Sequence, residues 1–199
     1  MRRPRLVLLD RDGVVNDLWY DASRKFSDSP RSRAEMRLKD GAADAIKMLN
    51  SLAIPCAIVS NQPGIAKAKM SCANLDDVTE EMTTQLKLRD ASVDQIYYCL
   101  HHPEAVNVGL RLDCPDRKPR NGMLLRAMSD FGASPRDTWM IGDTANDILA
   151  GKAALCWTAW VRGIVGSQTP DFGDFSPDIS ADGLQEIIGQ IVTIQNHEL

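Results

Sequence analysis

The sequence predicts an α/β domain built on a parallel β-sheet with helices on both faces. Five short apolar runs alternate with segments of helical periodicity, the pattern of right-handed βαβ units. Four of those runs end at residues with chemistry to offer, the edge on which open α/β sheets bind ligands. The length, 199 residues, suits one domain (1–199) with one substantial core.

The first strand is expected over 5–9, ending at Asp10-Arg11-Asp12-Gly13, and an irregular stretch, 17–40, follows. A helix over 41–52 carries Ala42, Ala45, Ile46, Leu49 and Leu52 at helical spacing. A strand over 55–59 leads to Ser60, a helix is expected from about 74 to 89, and a strand over 95–99 opens a second irregular stretch, 100–120. Asn121 as N-cap and Gly132 as stop bound a helix over 121–131. Strands over 138–142 and 157–161 flank a helix running from Ala145 toward Lys152. The segment 163–181, rich in Gly, Pro and Asp, reads as surface loop. A last helix, about 182–195, has Asp182 as cap and Leu184, Ile187, Ile188, Ile191 and Val192 on one face. Neither irregular stretch is long enough to be a domain, and both leave strand ends where a site belongs. The architecture is Rossmann-like.

Composition narrows the partners. A net charge of −4, with local basic residues at 2, 3, 5, 31, 33 and 37, excludes a general nucleic-acid binder. The apolar run after the basic N-terminus is four residues long before Asp10 breaks it, too short for export or a membrane span. The expectation is a cytoplasmic monomer with no membrane or nucleic-acid partner. Five widely spaced cysteines fit reduced thiols: Cys56 and Cys156 as packing residues, Cys72 as a helix residue without a role.

Two acidic clusters carry the chemistry. Asp10-Arg11-Asp12 has a distant counterpart in Gly142-Asp143-Thr144-Ala145-Asn146-Asp147, and both follow apolar runs. Facing one crevice, they make an oxygen-only site suited to Mg²⁺. Alone, the Asp-x-Asp is as well explained by a turn, Lys118 by a solvated surface, and Ser60 by a cap or turn hydroxyl. Together they weigh against those readings. Asp147 is open between a place beside the metal and a cap on its turn.

Asp10-x-Asp12-Gly13, Ser60-Asn61-Gln62, Lys118 and Gly142-Asp143-x3-Asp147 resemble the four signatures of the haloacid dehalogenase superfamily. Residues 9–16, 60–66, 98–104, 117–119 and 122–124 resemble its histidinol-phosphate and D-glycero-D-manno-heptose 1,7-bisphosphate phosphatases, above all the latter, over about 1–163. The resemblance implies a Mg²⁺-dependent phosphatase without a large cap domain, whose nucleophile, Asp10, forms an aspartyl-phosphate. It implies Asp12 as general acid and base, with Ser60 and Lys118 on the phosphoryl oxygens. Mg²⁺ would be held by Asp10, the Asp12 carbonyl and Asp143, and substrate by Asn61, Gln62, Arg117 and Lys118. Arg117 is the first candidate for a second phosphate, with Lys67, Arg24, Lys25 and Arg120 behind it; those four read more readily as solvated charges. Thr144 departs from the lysine common after this aspartate.

Where relatives hold structural zinc with Cys-x-His and Cys-x-Cys, this chain has Cys99, His101, Cys114 and Asp116, an oxygen in place of one thiolate. The alternative is a loop held by hydrogen bonds alone. His102 reads as a loop residue, and His197 is uninformative. The expected reaction is release of the 7-phosphate from the heptose bisphosphate. Histidinol phosphate is the alternative substrate, and a non-catalytic binding protein on the same fold is the rival class. A polynucleotide 3′-phosphatase is disfavoured by the acidic net charge.

Overall fold

β1 (Leu6–Leu9) is buried along its whole length and becomes the inner strand of the sheet. Its side chains alternate, as the pleat requires. Val7 and Leu9 enter one core cluster, while Leu6 and Leu8 enter the other on the opposite face. The computed structural model describes residues 3–21, 26–162 and 170–196, so Arg24, Lys25 and His197 lie outside the described residues.

Chain order gives β2 (Trp19–Asp21), β3 (Phe26–Asp28), α1 (Ala42–Ser51), β4 (Cys56–Asn61), α2 (Cys72–Lys87) and β5 (Gln95–Cys99). Then come α3 (Gly122–Asp130), β6 (Thr138–Gly142), α4 (Ala145–Ala153), β7 (Trp157–Val161), β8 (Ile179–Ala181) and α5 (Leu184–Asn196). Six strands form a parallel sheet in the order β5-β4-β1-β6-β7-β8. Counting those strands alone along the chain, the order is the doubly wound 3-2-1-4-5-6. The winding reverses between β1 and β6, paired with Leu9 opposite Ile141, and a crevice opens beyond their C-terminal ends.

Apolar residues of α1, α2 and α5 cover one face, among them Ile46, Leu49, Met82, Leu86, Ile187 and Ile188. Met123, Leu124, Ala127 and Met128 of α3 cover the other, joined by Ala150 of α4. Trp139 and Trp157, directly opposed on β6 and β7, stack at 5.9 Å.

Several details differ from expectation. The 17–40 stretch contains the antiparallel β2–β3 hairpin. No large cap domain is present among the described residues. β8 adds an edge strand inside the segment expected as loop, of which 163–169 lie outside the described residues. Asp182 does not cap α5, because its carboxylate faces Arg162 at 2.7 Å. Asn121 occupies the N-cap position of α3 but donates to the Ala153 carbonyl at 2.8 Å instead of closing a cap. α2 starts earlier than expected, after a reciprocal Ser71–Asn74 capping box. All five cysteines are free thiols. No helix among the described residues is long and apolar enough to cross a membrane.

Ile188 is fully buried where α5 meets the sheet. Ile188→Ala should lower the unfolding free energy by about 2–5 kcal/mol in urea denaturation. A loss under about 1 kcal/mol would mean that α5 is not docked as described.

Candidate active site

The backbone after β1 turns sharply at Gly13, which takes φ +82°, a conformation L side chains rarely adopt. A Cβ there would lie 2.0 Å from Oδ2 of Asp143, so glycine lets the two acidic loops close on each other. Asp143 leaves β6, and α4 begins at once behind a capping box. Asp147 Oδ2 accepts from the Thr144 amide at 3.0 Å and from its hydroxyl at 2.6 Å. Gly142 is demanded there too, since a Cβ would strike the Asp147 side chain at 2.1 Å.

Lys118 arrives from a third segment. Its ammonium, 2% exposed, lies 2.9 Å from Asp10 Oδ1 and 2.5 Å from Asp147 Oδ1, and it donates to the Val59 carbonyl at 2.8 Å. Asp147 therefore caps α4 and holds the lysine. Asn61 fixes the Lys118 peptide from both sides: its Nδ2 donates to the Lys118 carbonyl at 2.9 Å, and its Oδ1 accepts from the amide at 3.1 Å. Expected to bind substrate, Asn61 has its amide committed to Lys118. Gln62, also expected to bind substrate, has Nε2 donating to Asp12 Oδ2 at 2.7 Å and to Ser60 Oγ at 3.1 Å.

Asp12 has a separate partner that sequence reasoning passed over. Arg11 donates to both oxygens of Asp12, at 3.0 and 3.1 Å. Asn16 donates to Oδ1 at 2.9 Å, and Ser29, beyond the hairpin, to Oδ2 at 2.9 Å. Burial acts to raise the Asp12 pKa; Arg11 and the hydrogen bonds from Asn16, Gln62 and Ser29 outweigh it and hold the carboxyl below the ordinary range.

Asp10 and Asp143 go the opposite way. Burial pushes Asp10 up to about 6, with Asp147 and Asp12 adding to the shift and Lys118 opposing it. Asp143 is pushed up to about 8 by burial and by the charges of Asp10 and Asp147. Lys118 shifts upward, because its two carboxylate neighbours outweigh the effect of burial. Oxygens of Asp10, Asp143 and Asp147 lie within 4.8 Å of one another, and Asp143 Oδ1 is buried with no hydrogen-bond partner. Three carboxylates sharing one ammonium, with a buried oxygen unpaired, fit a hard divalent cation such as Mg²⁺.

Beyond them lies a cleft of about 260 Å³, also lined by Leu18, Ser29, Ser60, Arg117, Thr144 and Asn146. Arg117, on its lining, donates to the His101 carbonyl at 3.3 Å. Arg120 is drawn away into an ion pair with Asp113. Lys67 lines a neighbouring pocket of about 180 Å³ with Arg31, Lys69 and Gln62.

Cys99, at the end of β5, meets His101 and Cys114 with ligand atoms within 4.8 Å. Asp116 is not the fourth member. Its carboxylate lies outside that group and pairs with Arg126 of α3 at 2.7 Å. His102 is a loop residue whose Nδ1 accepts from the Glu104 amide at 3.0 Å.

The raised carboxyls set a pH dependence. Asp10 and Asp143 keep their protons to higher pH when folded than at the ordinary 3.8 of a free carboxyl. Between about pH 4 and 8 the folded state therefore binds more protons than the unfolded chain, and stability in chelator should fall as pH rises. Mg²⁺ competes with those protons, so its stabilisation should be larger at about pH 8 than at about pH 5. Thermal unfolding with EDTA or Mg²⁺ checks this; a Mg²⁺ shift independent of pH would refute the charge assignment.

A family model for HAD-like hydrolases ("HAD-hyrolase-like") matches residues 116–187. A D-glycero-beta-D-manno-heptose-1,7-bisphosphate 7-phosphatase of Pasteurella multocida (strain Pm70) is 34% identical over 151 residues, 75% of this chain and 77% of that one. The phosphatase of the same name from Escherichia coli (strain K12) is 35% identical over 149 residues, 74% of this chain and 73% of its own. Among solved structures, D,D-heptose 1,7-bisphosphate phosphatase from B. bronchiseptica, complexed with magnesium and phosphate, superposes with TM-score 0.77 at 24% identity, covering 98% of this chain and 99% of that one. A putative HAD-like phosphatase from Mesorhizobium loti gives 0.78 at 26% identity, covering 98% and 88%. At that identity over about three quarters of its length, this chain belongs to the haloacid dehalogenase superfamily, in the family of D-glycero-β-D-manno-heptose-1,7-bisphosphate 7-phosphatases.

Proposed function

We propose that this chain is a Mg²⁺-dependent phosphomonoesterase that converts D-glycero-D-manno-heptose 1,7-bisphosphate to the 1-phosphate. The observation that carries this reading is the Lys118 ammonium 2.9 Å from Asp10 Oδ1, inside an under-neutralised carboxylate cluster at the β1–β6 crevice. A phosphomonoester dianion repels an anionic nucleophile, so the site has to neutralise charge before attack. Mg²⁺, held by Asp10, Asp143 and the Asp12 carbonyl, would supply part of that charge.

The chain's own groups do the rest. Lys118 adds a fixed positive charge on the phosphoryl oxygens, and the Ser60 hydroxyl donates to them. Asp10 attacks phosphorus in line, forming an aspartyl-phosphate as the bond to the sugar oxygen breaks. Asp12 gives its proton to the departing alkoxide. It then takes one from the water that attacks the aspartyl-phosphate, which releases inorganic phosphate and restores Asp10. Arg117, on the cleft lining, suits the substrate's second phosphate.

Cys99, His101 and Cys114 offer the soft donors zinc prefers, and a zinc there would brace the loop carrying Arg117 and Lys118 with three protein ligands. We place the protein in the cytoplasm, in keeping with its free thiols, as a monomer of one domain over 1–199.

Asp10→Asn should lower kcat by about 10³-fold or more, read by phosphate release. Retention of more than about a tenth of the wild-type rate would remove Asp10 as nucleophile and favour a binding protein. Lys118→Ala should depress turnover of every phosphate ester, whereas Arg117→Ala should raise KM for the bisphosphate while sparing monophosphates. A panel of sugar phosphates and histidinol phosphate tests the substrate assignment; preference for histidinol phosphate would overturn it. Elemental analysis reads the zinc: below about a tenth of an equivalent per chain, the loop stands on hydrogen bonds alone.

A further inference from the structure

Asp12 is the most heavily hydrogen-bonded carboxyl at the crevice. It accepts five bonds: two from Arg11 and one each from Asn16, Ser29 and Gln62. A carboxylate offers about four lone-pair sites, so the group is fully engaged, and a leaving oxygen reaches it only by displacing a donor. Ser29 lines the cleft and is open to displacement. Arg11 is not, since it is 0% exposed and is the one donor that grips both oxygens.

The arginine is itself anchored. Its guanidinium carbon stands 5.5 Å from the Tyr98 ring centroid, and its Nη1 is 3.4 Å from the Tyr98 hydroxyl. That hydroxyl lies 3.0 Å from Thr79 Oγ1, which donates to the Leu75 carbonyl at 2.7 Å. A rigid line therefore runs from α2 through β5 to the carboxyl of Asp12. None of Arg11, Tyr98 or Thr79 faces the reacting atoms.

We propose that Arg11 is a positioning residue: its buried two-point grip, backed by Tyr98, keeps the Asp12 carboxyl aimed at the leaving oxygen while Ser29, the donor on the cleft side, gives way to substrate. The inference rests on the phosphomonoesterase reading. A lysine in its place keeps the charge but cannot hold two oxygens in one plane.

The test compares leaving groups. An alkyl phosphate needs its departing oxygen protonated, whereas p-nitrophenyl phosphate departs as a stable phenolate. kcat/KM reports the steps through departure, so later hydrolysis of the shared aspartyl-phosphate does not enter. Arg11→Lys should lose about 100-fold in kcat/KM on the best alkyl phosphate of the panel and less than about threefold on the aryl ester. Tyr98→Phe, which keeps the ring and removes the hydroxyl, should show the same selectivity at about three- to tenfold, and decides the matter if Arg11→Lys does not fold. Equal losses on both esters, or none, overturn the role of Arg11 and leave the phosphatase reading intact. A wild-type protein that hydrolyses neither ester with Mg²⁺ overturns both.

Discussion

The Lys118 ammonium, wedged between Asp10 and Asp147 and shut off from water, is the contact on which the rest of the site depends. An unpaired lysine at that depth would cost several kcal/mol in desolvation, and a lone pair of buried aspartates more. The position is tolerable because the ions are taken together: the Val59 carbonyl accepts from the same ammonium, and Thr144 donates to the far oxygen of Asp147. One cation thus ties the end of β1, the start of α4 and the loop before α3 into a single unit. Asn61 adds a second tie by fixing the Lys118 peptide from β4.

Charge is divided between two compartments. Arg11 and Asp12 form a self-contained pair on one side of the crevice, whereas Asp10, Asp143 and Asp147 share Lys118 on the other. The second compartment is short of positive charge, and burial, with the neighbouring carboxylates adding to it, raises the Asp10 and Asp143 pKa values. A divalent cation and a phosphate dianion complement it jointly, which is why the site reads as one for a metal-assisted reaction at phosphorus rather than as a structural ion-pair network.

Much of this was legible in the sequence because it rests on short-range rules. β1 and β6 are buried apolar runs ended by acids, and the parallel sheet covered on both faces follows from strands alternating with helices. What was not legible depends on partners far away in the chain. Asp116 has the spacing of a metal ligand, yet nothing in that spacing reveals Arg126 on the next helix. Asn61 and Gln62 sit beside Ser60 and look like substrate contacts; only the fold shows their amides turned to Lys118 and Asp12. Arg11 was hidden between two conspicuous acids, and Ser29 inside a stretch without periodicity. β8 is three residues long in a polar segment, too short for alternation to register. Arg11 had one signal: an arginine directly after a buried strand, between residues bound for the crevice, needs a partner for its charge.

Asp10 and Asp12 stand two positions apart, yet their surroundings push their acidities in opposite directions. Such divergence separates nucleophile from acid wherever two carboxyls share a site. Here its sign is instructive. The proposed chemistry needs Asp10 ionised and Asp12 protonated, whereas the protein groups alone hold a proton on Asp10 to about pH 6 and favour the anion at Asp12. Both biases yield to the ligands the site is built for. A cation beside Asp10 and Asp143 favours their anions, and a leaving oxygen that displaces Ser29 removes a donor that had stabilised the Asp12 anion. In the proposed chemistry the cation therefore acts on Asp10 and Asp143 and the substrate on Asp12, each ligand moving its own carboxyl toward the protonation state the reaction uses.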